Sequence, residues 1–109
     1  LIGNPVQYRD GRTAGMMEQV FAKVPKNEVF AQTGIQFMSI NTLYQMMSLV
    51  TSQSPHLQIA DTFLMAPDLL NYWLTGAKVS EFSIASTTQM FNPRTGGWAT
   101  EMLDTLGIP

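Results

Sequence analysis

The residues that could most readily do chemistry lie near the N-terminus, in the stretch "YRDGRT" at positions 8–13. Arg9, Asp10 and Arg12 place three charges within four positions, in a chain with only six basic and eight acidic residues. Charged and aromatic side chains between a strand and a helix are typical of ligand-binding groups in α/β proteins. An exposed ion pair at a surface turn shows the same pattern and contributes under about 1 kcal/mol to stability. Position alone leaves the binding and the structural interpretations equally open.

No other part of the chain offers a complete catalytic or metal-binding set. His56 is the only histidine, and no carboxylate or second histidine stands at metal-ligand spacing from it, which favours a solvated or capping role. Asp61 and Asp68 show no spacing that would let them share a proton, so we expect Asp61 to end a helix and Asp68 to lie in the first turn of the next. The hydroxyl-rich "ASTTQ" at 85–89 lacks a base for a serine nucleophile, which favours a close backbone approach or a hydrogen-bonded turn.

These groups must be positioned by elements that hydrophobic spacing, capping residues, glycine and proline indicate. For the first half the prediction is a strand at 4–8, a helix at 13–24 capped by Asp10 or Thr13, a helix at 26–33 closed by Gly34, an extended link at 35–39, and a helix at 40–53 that starts after Ser39 or Asn41 and is buried on most of its circumference. For the second half it is a helical turn from Pro55, a short buried run at 62–66, a helix at 67–75 closed by Gly76, a candidate strand at 77–82, a helix or strand at 83–92, a turn at 92–97 and a helix from 98 that stops at Gly107. This order predicts a mostly helical portion of an α/β domain.

Charge is the most informative feature of the composition. Charged residues make up 13% of the chain, against about 25% in an ordinary soluble domain, and positions 29–60 contain none. Polar residues interrupt every apolar run well before the roughly 18 residues of a membrane span. We therefore expect another part of a longer protein to cover this surface, and we take the chain, which begins at Leu1, to be a piece of that protein.

The same composition argues against two classes of partner and suggests a compartment. A net charge of −2 argues against binding to nucleic acid or to anionic membrane, which both require a basic surface. The absence of cysteine excludes disulfides and thiolate chemistry, and it fits the reducing cytoplasm.

Four segments in order resemble the FGGY family of sugar kinases: "PVQYRDGRT" at 5–13, "TGIQFMSINTLYQM" at 33–46, "LMAPDLLNYWLTG" at 64–76 and "EFSIASTTQMFNPRTGGW" at 81–98. The pair "TGIQF" and "NTLYQ" is most similar to the rhamnulokinase branch. Glycerol and xylulose kinases usually carry lysine and tryptophan where this chain has Leu43 and Met46.

The resemblance implies a two-domain enzyme of the actin-like and ribonuclease H-like type, with residues 1–109 as the middle part of its N-terminal, sugar-binding domain and no second domain. It implies transfer of the γ-phosphoryl group of ATP, with Mg²⁺, to the 1-hydroxyl of L-rhamnulose in the cytoplasm. The family's catalytic aspartate lies downstream of this region and its phosphate-binding turn upstream. The chain alone is therefore expected to be inactive, to contain no catalytic or metal-binding residue, and to need the remainder of the kinase chain.

The resemblance also assigns residues to the sugar pocket. Tyr8 aligns where glycerol kinases place a tryptophan against the substrate, and Gln36 and Phe37 fall in a second substrate-contacting loop. Asp10 and Arg12 match a family pattern that implies structural support of the pocket. Trp73 and "FSIAS" at 82–86 depart from the common pattern and leave the sugar open. The alternatives are another FGGY branch, for fuculose, ribulose or xylulose, and a non-catalytic kinase relic that acts as an interaction module.

Overall fold

Seven α-helices, one 3-10 turn and one antiparallel pair of strands make up the computed structural model, which describes residues 1–109. In chain order they are the 3-10 turn (Gly11–Thr13), α1 (Met16–Lys23), α2 (Lys26–Thr33), α3 (Thr42–Thr51), α4 (His56–Ile59), α5 (Ala66–Thr75), α6 (Phe82–Thr87), β1 (Phe91–Asn92), β2 (Gly97–Trp98) and α7 (Thr100–Leu106). None of these helices has both the length and the apolar character that crossing a membrane requires. The arrangement is mainly helical with a small sheet, which is compatible with a portion of an α/β kinase domain.

The helices follow the local signals of the sequence closely. α2 and α5 end at Gly34 and Gly76, which adopt φ values of 67° and 76° in the left-handed region where a side chain is unfavourable. Pro67 lies in the first turn of α5, where its missing N–H leaves no intrahelical bond unmade. The predictions for these two helices are confirmed.

The core is built around α3, which packs against α1 and the 3-10 turn. Leu43, Tyr44 and Met47 of α3 are almost completely buried, together with Val20 of α1 and Leu106 of α7. Burying each large apolar side chain contributes about 1.5–3 kcal/mol. The predicted burial of the helix around nearly all of its circumference is confirmed.

The helix predicted at 13–24 forms only from Met16 to Lys23, after a separate 3-10 turn at Gly11–Thr13. Asp10 caps the 3-10 turn, because its Oδ1 accepts a hydrogen bond of 3.2 Å from the Arg12 backbone N–H. The chain then continues through Gly15, in the left-handed region at φ 74°, before α1 begins at Met16. The capping role predicted for Asp10 is thus correct for the turn and wrong for the helix.

Three predictions for extended or buried segments are wrong. Residues 4–8 form no strand, because no other strand of the chain lies beside them to complete a ladder. The candidate strand at 77–82 is an exposed loop up to Glu81, and Phe82 begins α6. The Glu81 carboxylate caps that helix by accepting bonds from the N–H groups of Ser83 and Ile84. The run at 62–66 is not buried, and Phe63 is 42% exposed.

The ambiguous segment at 83–92 divides into α6 and β1. β1 pairs with β2 so that Phe91 lies opposite Trp98 and Asn92 opposite Gly97. The Asn92 side chain holds the turn between the strands by accepting bonds from the N–H groups of Arg94 and Thr95. The turn predicted at 92–97 is therefore confirmed, as the connection of a hairpin.

Candidate functional site

An open cleft of about 760 Å³ lies between the N-terminal segment, the link before α3 and the start of α5. We call it the Tyr8 cleft, and its volume falls within the usual range for sites that bind small molecules. Most of its lining is apolar, with a few polar side chains among them. Its lining includes Val6, Tyr8, Gln36, Met38, Gln45 and Phe63.

Tyr8 reaches the cleft from a turn at the end of the N-terminal segment. The turn is closed by a 3.1 Å hydrogen bond from the Asp10 N–H to the Gln7 carbonyl. The Tyr8 side chain is 48% exposed, and the Arg9 guanidinium lies 5.2 Å from the centroid of its ring. Much of the tyrosine surface is therefore available to a ligand.

Asp10 and Arg12 lie beside this turn and do not line the cleft. Asp10 Oδ1 is 3.5 Å from Arg12 Nε, so the two side chains form an ion pair within their own turn. The 3-10 turn that they start packs against α3, and Thr13 at its end is buried. The arrangement connects the segment that carries Tyr8 to the core.

Gln36 and Phe37 point in different directions, although they are adjacent in the chain. Gln36 and Met38 line the cleft, whereas the Phe37 ring packs edge-on against Phe21 with their centroids 5.4 Å apart. Lys26 Nζ lies 4.9 Å from the centroid of the same Phe37 ring. This alternation is that of extended backbone, in which successive side chains face opposite sides. The structure thus brings Tyr8 and Gln36 together and places Phe37 against the core.

Two buried amide side chains hold the wall of the cleft, and neither was assigned to the pocket from the sequence. Gln89 Nε2 donates to the Ile35 carbonyl at 3.0 Å, and Asn41 Nδ2 donates to the Gln36 carbonyl at 2.9 Å. The sequence feature that could have indicated Gln89 is its position as a polar residue in the apolar neighbourhood of "ASTTQMF". The hydrogen-bonded turn predicted there is confirmed, since Thr88 Oγ1 donates to the Ala85 carbonyl and accepts from the Met90 N–H.

The remaining titratable candidates lie outside the cleft. His56 is exposed. Asp61 forms an ion pair with Lys78 beside a second cavity of about 410 Å³, and the hydrogen bond between them lowers the pKa of Asp61 and raises that of Lys78. Asp68 lies in the first turn of α5 as predicted, is buried, and accepts a 3.0 Å bond from the Glu81 N–H, which connects α5 to the cap of α6.

The chemistry available in the Tyr8 cleft is that of binding. An aromatic ring, amide groups and apolar side chains can cover one face of a small molecule and hydrogen-bond its hydroxyl groups. No three His, Cys, Asp or Glu side chains come together as metal ligands anywhere in the chain. No carboxylate or histidine lines the cleft, so it contains no evident base to take a proton from a ligand.

The chain is similar in sequence to several rhamnulokinases. The chain is 46% identical over 103 residues to the rhamnulokinase of Oceanobacillus iheyensis, a match that covers 94% of the chain and 22% of that protein. It is 46% identical over 110 residues to the rhamnulokinase of Yersinia pestis strain Pestoides F, covering 99% of the chain and 22% of that protein. The rhamnulokinase of Mannheimia succiniciproducens is 41% identical over 109 residues, covering 100% of the chain and 23% of that protein.

The chain thus spans less than a quarter of the length of these curated relatives. Residues 1–109 also match the model described as the FGGY family of carbohydrate kinases, N-terminal domain. Because that match runs the whole length of the chain, the chain belongs to the FGGY family of carbohydrate kinases.

Proposed function

We propose that the chain is the middle part of the N-terminal, sugar-binding domain of a rhamnulokinase. The complete enzyme transfers the γ-phosphoryl group of ATP to the 1-hydroxyl of L-rhamnulose, on a fold of the actin-like and ribonuclease H-like type, in the cytoplasm. The observation that carries this proposal is the meeting of Tyr8 and Gln36 on one cleft, in a chain whose relatives are named rhamnulokinases.

The proposal gives each of the predicted site residues a role in binding the sugar or in supporting the pocket. The half-exposed ring of Tyr8 packs on the carbon face of the sugar, and the Gln36 amide hydrogen-bonds a sugar hydroxyl. Phe37 supports Gln36 from the opposite side of the link, because its ring is held between Phe21 and Lys26; its direct contact with the sugar stays a prediction. Asp10 and Arg12 keep the turn below Tyr8 in place. Phosphoryl transfer depends on such positioning, because the reacting oxygen must approach the phosphorus in line.

The residues of this chain do not form a binding site for ATP or Mg²⁺. The structure brings no set of three metal-ligating side chains together, and the glycine pair of "RTGG" lies in the β1–β2 hairpin rather than between a strand and a helix as a phosphate loop requires. We propose that the remainder of the kinase chain binds both and supplies the reactive aspartate. These 109 residues alone are then inactive.

The proposal is tested on the full-length kinase that contains this chain. ATP-dependent phosphorylation is measured with L-rhamnulose, L-fuculose, L-ribulose and D-xylulose, and kcat/KM is expected to be highest for L-rhamnulose. The 109-residue chain serves as the matched control and should phosphorylate none of them. A preference for another ketose would assign the protein to a different FGGY branch. Failure to phosphorylate any ketose, with a folded protein that binds no nucleotide, would favour the non-catalytic relic.

A further inference from the structure

The wall of the Tyr8 cleft at residues 35–38 has no regular secondary structure, yet its backbone is anchored at two successive residues. The Ile35 carbonyl accepts from Gln89 Nε2, and the Gln36 carbonyl accepts from Asn41 Nδ2. Both amide side chains are buried, with 0% of Gln89 and 4% of Asn41 exposed. Because this link has no neighbouring strand, the two amides satisfy carbonyl groups that a sheet would otherwise satisfy.

Gln89 makes its bond at a cost to the fold. Its φ is 62°, in the left-handed region that is unfavourable for a residue with a side chain. Its Oε1 is buried and has no hydrogen-bond partner. The Ile35 carbonyl oxygen can only accept a hydrogen bond, so the Nε2 group of Gln89 must face it. The Oε1 atom of Gln89 then points into the interior of the protein. Strained residues of this kind persist where their surroundings hold them, and they concentrate at functional sites.

The turn that contains Gln89 also fixes the other end of the wall. The Thr88 carbonyl accepts a 3.0 Å bond from the N–H of Leu43, in the first turn of α3. Thr87, one residue earlier, lines the cleft itself. The segment between α6 and β1 therefore holds the link at Ile35 and the start of α3 together, and Gln36 lies between these two points.

We propose that Gln89 is a positioning residue of the sugar site. It fixes the Ile35 carbonyl so that Gln36 faces the Tyr8 cleft while Phe37 packs against the core. Gln89 does not line the cleft, so it acts through Gln36 and touches no substrate. The identity of the ligand in this inference rests on the proposed function. The fixed backbone conformation of residues 35–38 rests only on the hydrogen bonds.

The test is Gln89→Met in the full-length kinase, since methionine keeps the length of the side chain and removes the donor. The KM for the ketose should rise about tenfold, which corresponds to about 1.4 kcal/mol of lost binding. The KM for ATP should not change. The NMR order parameters of the backbone at residues 36–38 should fall. Gln53→Met is the matched control, because Gln53 also has a positive φ, of 51°, but lies exposed after α3 and outside the cleft.

Gln89→Met with a ketose KM within twofold of the wild type would overturn the proposal, as would equal rises in the KM for ketose and for ATP. If the methionine variant does not fold, Gln89→Asn takes its place. Asparagine tolerates positive φ, and its amide is one carbon too short to reach Ile35 in the same way. A wild-type kinase that phosphorylates no ketose refutes the proposed function, and the backbone order parameters of residues 36–38 in Gln89→Met then decide the role of Gln89 by themselves.

Discussion

Tyr8→Ala in the full-length kinase should weaken sugar phosphorylation in a protein that still folds. The Tyr8 side chain is 48% exposed and has the exposed Arg9 guanidinium beside its ring. A cation–π contact at such a site contributes about 0.5–1 kcal/mol, and burial of the other half of the residue, roughly 100 Å², contributes up to about 2.5 kcal/mol at about 25 cal/mol per Å², so the free energy of unfolding should fall by at most about 3.5 kcal/mol. A tyrosine can bury roughly 200 Å², of which about half remains available to a ligand. At about 25 cal/mol per Å², covering that surface is worth about 2.5 kcal/mol, and kcat/KM for the ketose should fall roughly 60-fold.

The assay is steady-state kinetics with the ketose varied at saturating ATP, paired with denaturant unfolding of each variant. Arg9→Ala is the control, because it removes the cation–π partner, leaves Tyr8 in place and should keep kcat/KM within twofold. Tyr8→Phe retains the ring and should lose only a small part of the activity. An unaltered kcat/KM for Tyr8→Ala would remove Tyr8 from the site. A Tyr8→Ala variant that fails to fold would show that the ring supports the fold instead.

Two further predictions concern pH and stability. Burial raises the pKa of Tyr44 from 10.0 to about 12, so the contribution of Tyr44 to the free energy of unfolding should be constant below pH 10.0 and decrease between pH 10.0 and 12 as the unfolded chain loses its proton. Tyr44→Phe should lose that dependence in chemical denaturation and should not be destabilised at neutral pH, because the buried hydroxyl has no hydrogen-bond partner; a marked loss at neutral pH would contradict this. Hydrogen bonds from the side chain and backbone of Ser83 and from the Ile84 N–H lower the pKa of Glu81 below 4.5, so its stabilising effect is present above pH 4.5 and lost as the pH falls through the lowered value. Glu81→Gln should therefore have a lower Tm than the wild type at neutral pH and approach it in acid, and a difference in Tm independent of pH would refute the capping role.

The helices could be predicted from the sequence because their signals act within a few residues. Gly34 and Gly76 end α2 and α5 through the backbone conformation that they alone adopt easily. The apolar spacing of α3 predicted its burial without knowledge of its neighbours. The strand at 4–8 was wrong for the opposite reason, because a strand depends on a partner that local spacing does not reveal.

The candidate site shows the same division between local and long-range information. The resemblance to the FGGY family indicated Tyr8 and Gln36, which lie on one cleft. It gave no role to Gln89, whose bond to Ile35 joins positions 54 apart in the chain. A single sequence does not reveal such a contact. The polar "ASTTQ" stretch could only indicate a hydrogen-bonded turn, without the segment that the turn holds.

Low charge turned out to be an imperfect guide to the surface that another part of the protein would cover. About a third of the uncharged stretch at 29–60 is α3, which α1 and the 3-10 turn already bury. The largest apolar exposure in a helix is on α5, where Leu70 is 57%, Trp73 60% and Leu74 87% exposed. Residues three and four apart lie on one face of a helix, so these side chains form a continuous apolar surface. The curated relatives are more than four times as long as this chain. In the kinase that we propose, the α5 surface fits packing against the remainder of the protein, which would also supply the parts that the Tyr8 cleft lacks for catalysis.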